Sequence, residues 1–369
     1  MTLISLKTVA KPLQTIMLIG LLLVAMPAFS LTVEGLYGAQ VPIKDQSSAQ
    51  VLMAKKIGLA QVIVKVTGQT QSLNNPGIRA ALKNAEIYLQ RFSFSTKALV
   101  NGQPQAMMEL AFDRLLVDQL MRDFGMPIWG TDRAAVLVWL VEDKQGSRQI
   151  VNDNGHPMVA QIMDQADQRG MPLLWPLLDL EDQVSINAGA LWGLFREAIK
   201  EASSRYQADA VLVGRMFQDS QQLWRVEWNF WLDEVEQTWS SEGANLATLV
   251  DPLQDRLASS LVTKFALTTS VQSPNNKASQ SAILRVDQVT EIGDYVDILT
   301  MLETIAGIQR VQLHSANGST LEFRIFAQSQ LAQVKSIVDL KRRLQAVDDV
   351  ANPQGIDAVN NPVWHYQWN

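Results

Sequence analysis

Asp179, Glu181 and Asp182 are the side chains whose type and spacing point most directly to chemistry. They follow an apolar run at 173–178, and ligand sites in open α/β sheets gather beyond the carboxyl ends of strands. Carboxylates in that position suit a hard cation such as calcium or magnesium, or acid–base work by a carboxyl of raised pKa. The plainer reading is structural, with Asp182 and Ser185 at a strand exit capping the next helix. No EF-hand spacing, glycine-rich phosphate loop or metalloprotease motif accompanies the cluster. Arg215 follows Gly214 at the end of an apolar strand. It is a candidate for binding a carboxylate or phosphate, or for a structural ion pair with Asp179 or Asp209. His156, His314 and His365 are far apart and read as surface or turn residues. There is no Gly-x-Ser-x-Gly elbow, and no motif names a cofactor.

The ten tryptophans carry a second signal. Trp224 and Trp228 share one face of a strand at 223–233 with Val226, Phe230 and Leu232, and read as core. Trp231 interrupts the opposite face of Arg225, Glu227, Asn229 and Asp233, so either a helix or a partner covers it. Trp364, Tyr366 and Trp368 alternate as in a strand. Aromatic side chains bury a large area with few rotors and are enriched at binding hot spots. Trp231, Trp364, Tyr366 and Trp368 are therefore the partner-binding candidates. The tail at 349–369 is expected to add as an edge strand, to its own sheet or to a partner's.

Composition narrows the classes. The net charge is −6, and without Lys7 and Lys11 of the first thirty residues it is −8 (29 basic against 37 acidic residues). That balance gives no basic face for nucleic acid and no attraction to anionic lipid. The absence of cysteine excludes disulfides, thiolate catalysis and a lipidated cysteine. Residues 1–30 place Lys7 and Lys11 before an apolar run at 16–26, then Pro27, Ala28, Phe29 and Ser30, the three-part order of a cleaved secretory signal. The run has about 11 residues, short of the roughly 20 that span a bilayer. A retained anchor is the alternative. The expected location is the periplasm, with no stable membrane span once the signal is removed.

Stepping outward from these residues, the periodicity predicts three modules, α/β and α+β in class with mixed sheets. The first, 31–127, reads strand, helix (about 48–67), helix (74–89), strand (92–97), strand (105–112) and helix (114–124). The second, 128–269, has a strand buried on both faces at 134–141 and a helix at 157–168. A short strand at 173–180, a helix at 190–206 and strands at 210–216 and 223–233 follow. A short strand around Trp239 and a helix at 246–265 complete it. A linker at 270–280 is rich in Ser, Asn and Gln. The third module, 281–348, reads strand–helix–strand–strand–helix, with Asn317-Gly318 as a hairpin turn and a long helix at 329–347.

Several segments together resemble a family of exported gammaproteobacterial proteins known only as a domain of unknown function. They are Val33-Glu34-Gly35-Leu36-Tyr37, Val64-Lys65-Val66-Thr67-Gly68, Phe124-Gly125-Met126-Pro127-Ile128-Trp129-Gly130, the stretch 170–182, and Ala202-Ser203-Ser204-Arg205-Tyr206 leading into 208–215. The resemblance covers about 31–265 and implies a Gram-negative envelope location; it transfers no activity and no site. The middle module alone resembles periplasmic assembly factors, including the amino-terminal domain of the Tol–Pal translocation protein and lipoproteins that activate cell-wall synthases or build curli pores. Those are interaction modules. The expected function is a non-enzymatic envelope adaptor or assembly factor with a protein partner. The alternatives are a hydrolase or cation-binding protein using Asp179, Glu181 and Asp182, and a small-ligand binder with a cleft between the first two modules.

Overall fold

The computed structural model describes residues 33, 35–98, 104–153, 155–267, 280–347 and 362–369. The signal-like segment, most of the linker and residues 348–361 of the tail lie outside these. The described chain forms three sheets with helices packed on them, one antiparallel and two mixed.

The first sheet joins β1 (Gly38–Pro42), β2 (Leu89–Ala98) and β3 (Pro104–Phe112) in the order β1-β3-β2, all antiparallel. Helix α1 (Ser48–Thr67) lays Leu59, Val62, Ile63 and Val66 on Met108, Leu110 and Phe112 of the central strand. It stops at Gly68, whose φ of 67° no β-branched residue adopts without strain. The helix expected at 74–89 is shorter. Asn75 caps α2 (Pro76–Lys83) by accepting from the N–H groups of Gly77 and Ile78, and the chain then turns tightly at Ala85–Tyr88. Helix α3 (Arg114–Asp123) starts on the cap of Asp113.

In the second sheet β4 (Val136–Lys144) runs parallel to β7 (Ala210–Gln218) and to the two-residue β6 (Leu173–Leu174). β8 (Trp224–Leu232) and β9 (Val235–Gly243) continue antiparallel. Pro176 leaves β6 far shorter than the expected strand. β5 (Ser147–Ile150) pairs with β4 across Gln145 and Gly146, both at positive φ, a hairpin with no Asn-Gly or Asp-Gly to announce it. β9 is a full nine-residue strand where a short one was expected. Helices α4 (Pro157–Arg169) and α8 (Ala247–Phe265) cover the face of Val136, Val138 and Leu140. After α5 (Leu180–Ser185), α6 (Ala188–Trp192) and α7 (Arg196–Ser204) cover the face of Leu137, Trp139 and Val141. The single helix expected at 190–206 is thus two. The break holds Leu194 at a φ of 55°, and Arg215 donates to the exposed Trp192 carbonyl.

The third sheet has the order β11-β12-β10-β14-β13, from β10 (Gln280–Asp287), β11 (Ile308–Asn317), β12 (Thr320–Ala327), β13 (Leu344–Ala346) and β14 (Val363–Trp368). Helices α9 (Ile292–Thr304) and α10 (Leu331–Asp339) complete the module. The helix expected at 329–347 ends at Asp339. Beyond it Lys341 meets Asp132 at 2.5 Å, Arg342 donates to Gln207, and Leu344 enters β13. The β11–β12 loop is Gly318-Ser319, one residue beyond the expected pair, with Gly318 at a φ of 60°.

Candidate functional site

The acidic cluster closes on one arginine. Asp179 caps α5 by accepting from the Asp182 N–H, and Arg205 grips both of its oxygens at 2.7 and 2.8 Å. Arg205 also donates to Asp182 at 3.1 Å and lies 3.4 Å from Glu181. Asp182 is buried and accepts from the Leu178 N–H at 2.8 Å and from the Tyr206 hydroxyl at 2.5 Å. Those bonds hold Leu178 at a φ of 51°, strained for a leucine. The Arg205 hydrogen bonds hold the Asp179 carboxyl at about 2, and burial, with the bond to Asp182, pushes the Tyr206 hydroxyl up to about 12. Both groups therefore keep one protonation state at neutral pH, which suits a strut better than a proton carrier. Among the described residues no group of three His, Cys, Asp or Glu side chains is disposed to hold a metal ion.

Arg215 pairs with neither Asp179 nor Asp209. Its partner is Glu227, 2.7 Å away on the neighbouring strand β8, because Arg215 and Glu227 are register partners on one face. Asp209 instead accepts from the Ala135 N–H. Trp231 is buried in the layer of α6 and α7, with Arg196 over its ring. Trp364, Tyr366 and Trp368 are 6, 1 and 5 % exposed and sit in the third core. Their strand is interior, parallel to β10 and antiparallel to β13. Tyr366 donates to Asp339 and Trp368 to Asp294. Of the candidates named from sequence only Asp179, Glu181 and Asp182 are brought together, around Arg205; Arg215 and Trp231 lie in the second sheet and Trp364, Tyr366 and Trp368 in the third.

Two features carry no motif. The first is Arg133, buried between the first two modules and stacked on Trp129 at 4.0 Å. It donates to five carbonyls, those of Lys65, Trp129, Gly130, Arg169 and Gly170, at 2.6–2.8 Å. Lys65 and Arg169 lie in the last turns of α1 and α4, where the helix dipoles are negative. Burial lowers the guanidinium to about 9, so it stays charged at neutral pH. Gly68 and Gly170 are required beside it. A Cβ on Gly68 would lie 2.6 Å from Val262 and 2.8 Å from Trp129, and one on Gly170 2.9 Å from Arg133.

The second is the rim of the first sheet. An open groove of about 1430 Å³ runs over its outer face, with Arg91, Lys97, Met107 and Glu109 on the sheet side and Asp164 and Asp167 of α4 opposite. The two edges of this sheet differ. On β1, Pro42 has no N–H, and the Lys65 ammonium donates to the Gly38 carbonyl at 3.0 Å. β2 keeps a regular register with β3 from Arg91 to Ala98. Other edges are guarded: β11 has two register shifts, β5 and β13 are short, and β9 carries Glu236 and Glu242 against Arg196 and Arg225. β2 also presents Phe92 and Phe94, 46 and 38 % exposed and edge-to-face with one another. The Phe92-Ser93-Phe94-Ser95 alternation was legible as a strand; its place at an edge was not.

Comparison with known proteins adds the following. The family model described as "Domain of unknown function (DUF8605)" matches residues 30–130. No curated protein matches. Among solved structures, the C-terminal domain of LpoB from Salmonella enterica is similar at 16% identity over 30% of this chain and 80% of that one, with a TM-score of 0.21. The lipoprotein GNA1162 from Neisseria meningitidis is similar at 16% identity over 35% of this chain and 94% of that one, also with a TM-score of 0.21. No helix among the described residues is long and apolar enough to cross a membrane.

Proposed function

We propose that the chain is an exported envelope protein acting as a non-enzymatic adaptor, with the rim of its first sheet as the partner surface. The observation that carries this reading is the contrast, among the described residues, between closed polar clusters and one open edge. Asp179, Asp182, Arg205 and Tyr206 satisfy one another, and the five carbonyls around Arg133 are met by its guanidinium. β2, by contrast, offers exposed phenylalanines along a regular free edge. Export is supported by the basic, apolar and small-residue order of residues 1–30. Partner surfaces favour such clustered aromatic anchors.

Photo-crosslinking side chains placed at Gln90 of β2 and at Glu201 of α7 test the reading in intact cells. The expected result is a defined protein adduct from Gln90 and none from Glu201, on a protein whose mass starts at Leu31. The reading fails if purified protein shows metal-dependent or hydrolytic turnover that Asp179→Asn with Glu181→Gln abolishes while the fold survives.

A further inference from the structure

The mode of binding at β2 follows from its backbone. The Phe112 N–H donates to the Tyr37 carbonyl and the Ile43 N–H to the Ala106 carbonyl, so the even-numbered residues of β3 face β1. Antiparallel ladders alternate, so the odd-numbered residues of β3 bond to their register partners Arg91, Ser93, Ser95 and Lys97 on β2. The N–H and C=O groups of Phe92, Phe94 and Thr96 therefore point out of the sheet. The rings of Phe92 and Phe94 share the face of Leu110 and Met108 and stay partly exposed there, although the Lys55 ammonium of α1 lies 5.8 Å over the Phe92 ring. Arg91 and Lys97 lie on the other face, along the groove, and neither forms an ion pair with another described residue.

We infer that the free edge of β2 takes up an extended segment of a partner protein as a fourth strand, and that this segment alternates apolar side chains with carboxylates. The inference rests on the adaptor reading and specifies its partner. Backbone groups of an open edge give affinity to such an added strand, and alternate side chains give it specificity. Apolar residues of the segment cover Phe92 and Phe94; carboxylates on its other face meet Arg91 and Lys97. A second copy of this chain fits less well. Antiparallel pairing of β2 with itself about Phe94 uses all three outward residues, but it sets Arg91 opposite Lys97 twice. Like charges directly opposite are destabilising.

The probe is a blocked peptide alternating valine and glutamate, titrated into the purified full chain and followed by backbone amide shifts. Shifts centred on β2 are expected. Binding should fall roughly tenfold when lysine replaces glutamate in the peptide, and Arg91→Glu with Lys97→Glu should reverse that preference. Thr96→Pro removes one outward N–H and leaves the internal ladder intact, a position where an edge strand tolerates proline. It should also weaken binding roughly tenfold. N-methylation of alternate peptide residues removes the peptide's own donors and gives the same test without touching the protein's fold. Equal binding to Thr96→Pro and by the N-methylated peptide overturns strand addition, as does a chain that dimerises through β2 and ignores the peptide. Peptide failure with a surviving crosslink from Gln90 removes the strand mode and leaves the adaptor reading. Loss of both removes both.

Discussion

β2 and β14 both alternate aromatic and polar side chains, Phe92 and Phe94 in one and Trp364, Tyr366 and Trp368 in the other, but only the rings of β14 are buried. The difference lies beside the strands. β14 lies in a slot between β10 and β13, with Asp339 of α10 and Asp294 of α9 accepting from its ring donors. Among the described residues β2 pairs with β3 alone, and from α1 the Lys55 ammonium lies over Phe92 while both rings stay partly exposed. Alternation announces a strand with a dry face. Who supplies the dryness is decided by lateral neighbours.

The strongest way to break this contrast is to empty the slot. Truncation before Pro362 should abolish cooperative unfolding of the third module while leaving the first two folded, as read by hydrogen exchange. An unchanged third module in the truncated chain would show that β14 is not part of its core. Tyr366→Ala, in the full chain, should cost about 3–5 kcal/mol in urea unfolding, the range for large aromatic truncations in cores.

The first sheet stays open at β2 while it is held firmly elsewhere, by Arg133. Arg133→Leu takes the guanidinium from five carbonyls, three of them in buried bonds, and even a partly relaxed loss should cost about 3 kcal/mol. Its signature is faster exchange at Val66 and Gly170 than in the β2 ladder. A variant as stable as the parent would mean that the joint does not depend on the cation.

Acid should separate the two regions further. The N–H of Glu291 and the indole of Trp368 hold the Asp294 carboxyl below its ordinary 3.8. Stability gained from Asp294 is therefore present above pH 3.8 and lost as pH falls through the lowered value. Asp118, beneath the first sheet, runs the other way. Burial raises its carboxyl, despite the Tyr37 hydroxyl at 2.6 Å, so its protonation at falling pH favours the folded state. Exchange protection measured from pH 6 downwards should fall first in the third module, and Asp294→Asn should flatten that limb. Equal acid slopes in both sheets would contradict these assignments.

The smallest effect belongs to the open edge. Phe94→Ala should change stability by about 1 kcal/mol or less, as for other incompletely buried sites. The same kind of change, aromatic to alanine at an alternating strand position, would then differ between β14 and β2 by several-fold.

Much of the secondary structure was legible because it is local. The run 134–141 reads as a doubly covered strand, and β4 is one from Val136; Trp228 and Phe230 share a core face; Gly68 ends its helix. The misreadings have non-local causes. A helix at 190–206 satisfies its own periodicity, but Arg215 from β7 accommodates a break at Trp192. A helix at 329–347 gives way at Leu340, where Lys341 and Arg342 reach Asp132 and Gln207 in another module. The cluster at Asp179 was visible as chemistry, yet the guanidinium that closes it is Arg205, 26 residues on. Arg133 had no signal at all, since its partners are backbone carbonyls and those carry no sequence.

The sequence by itself determined which residues of the long strands face a dry side, that the first helix stops at Gly68, and that acidic composition and the absence of cysteine leave the cores to hold the chain together. Those follow from side-chain period and backbone preference over a few residues. The caps it suggests at Ser47 or Ser48 and at Asp182 and Ser185 are not the ones formed, since Ser47 makes no cap bond and Asp179 caps α5. Only the tertiary structure decided which edge is filled and which is left open. Strand neighbours are set by contacts at long separation, such as Asp287 with His365 across 78 residues, and no local pattern encodes them.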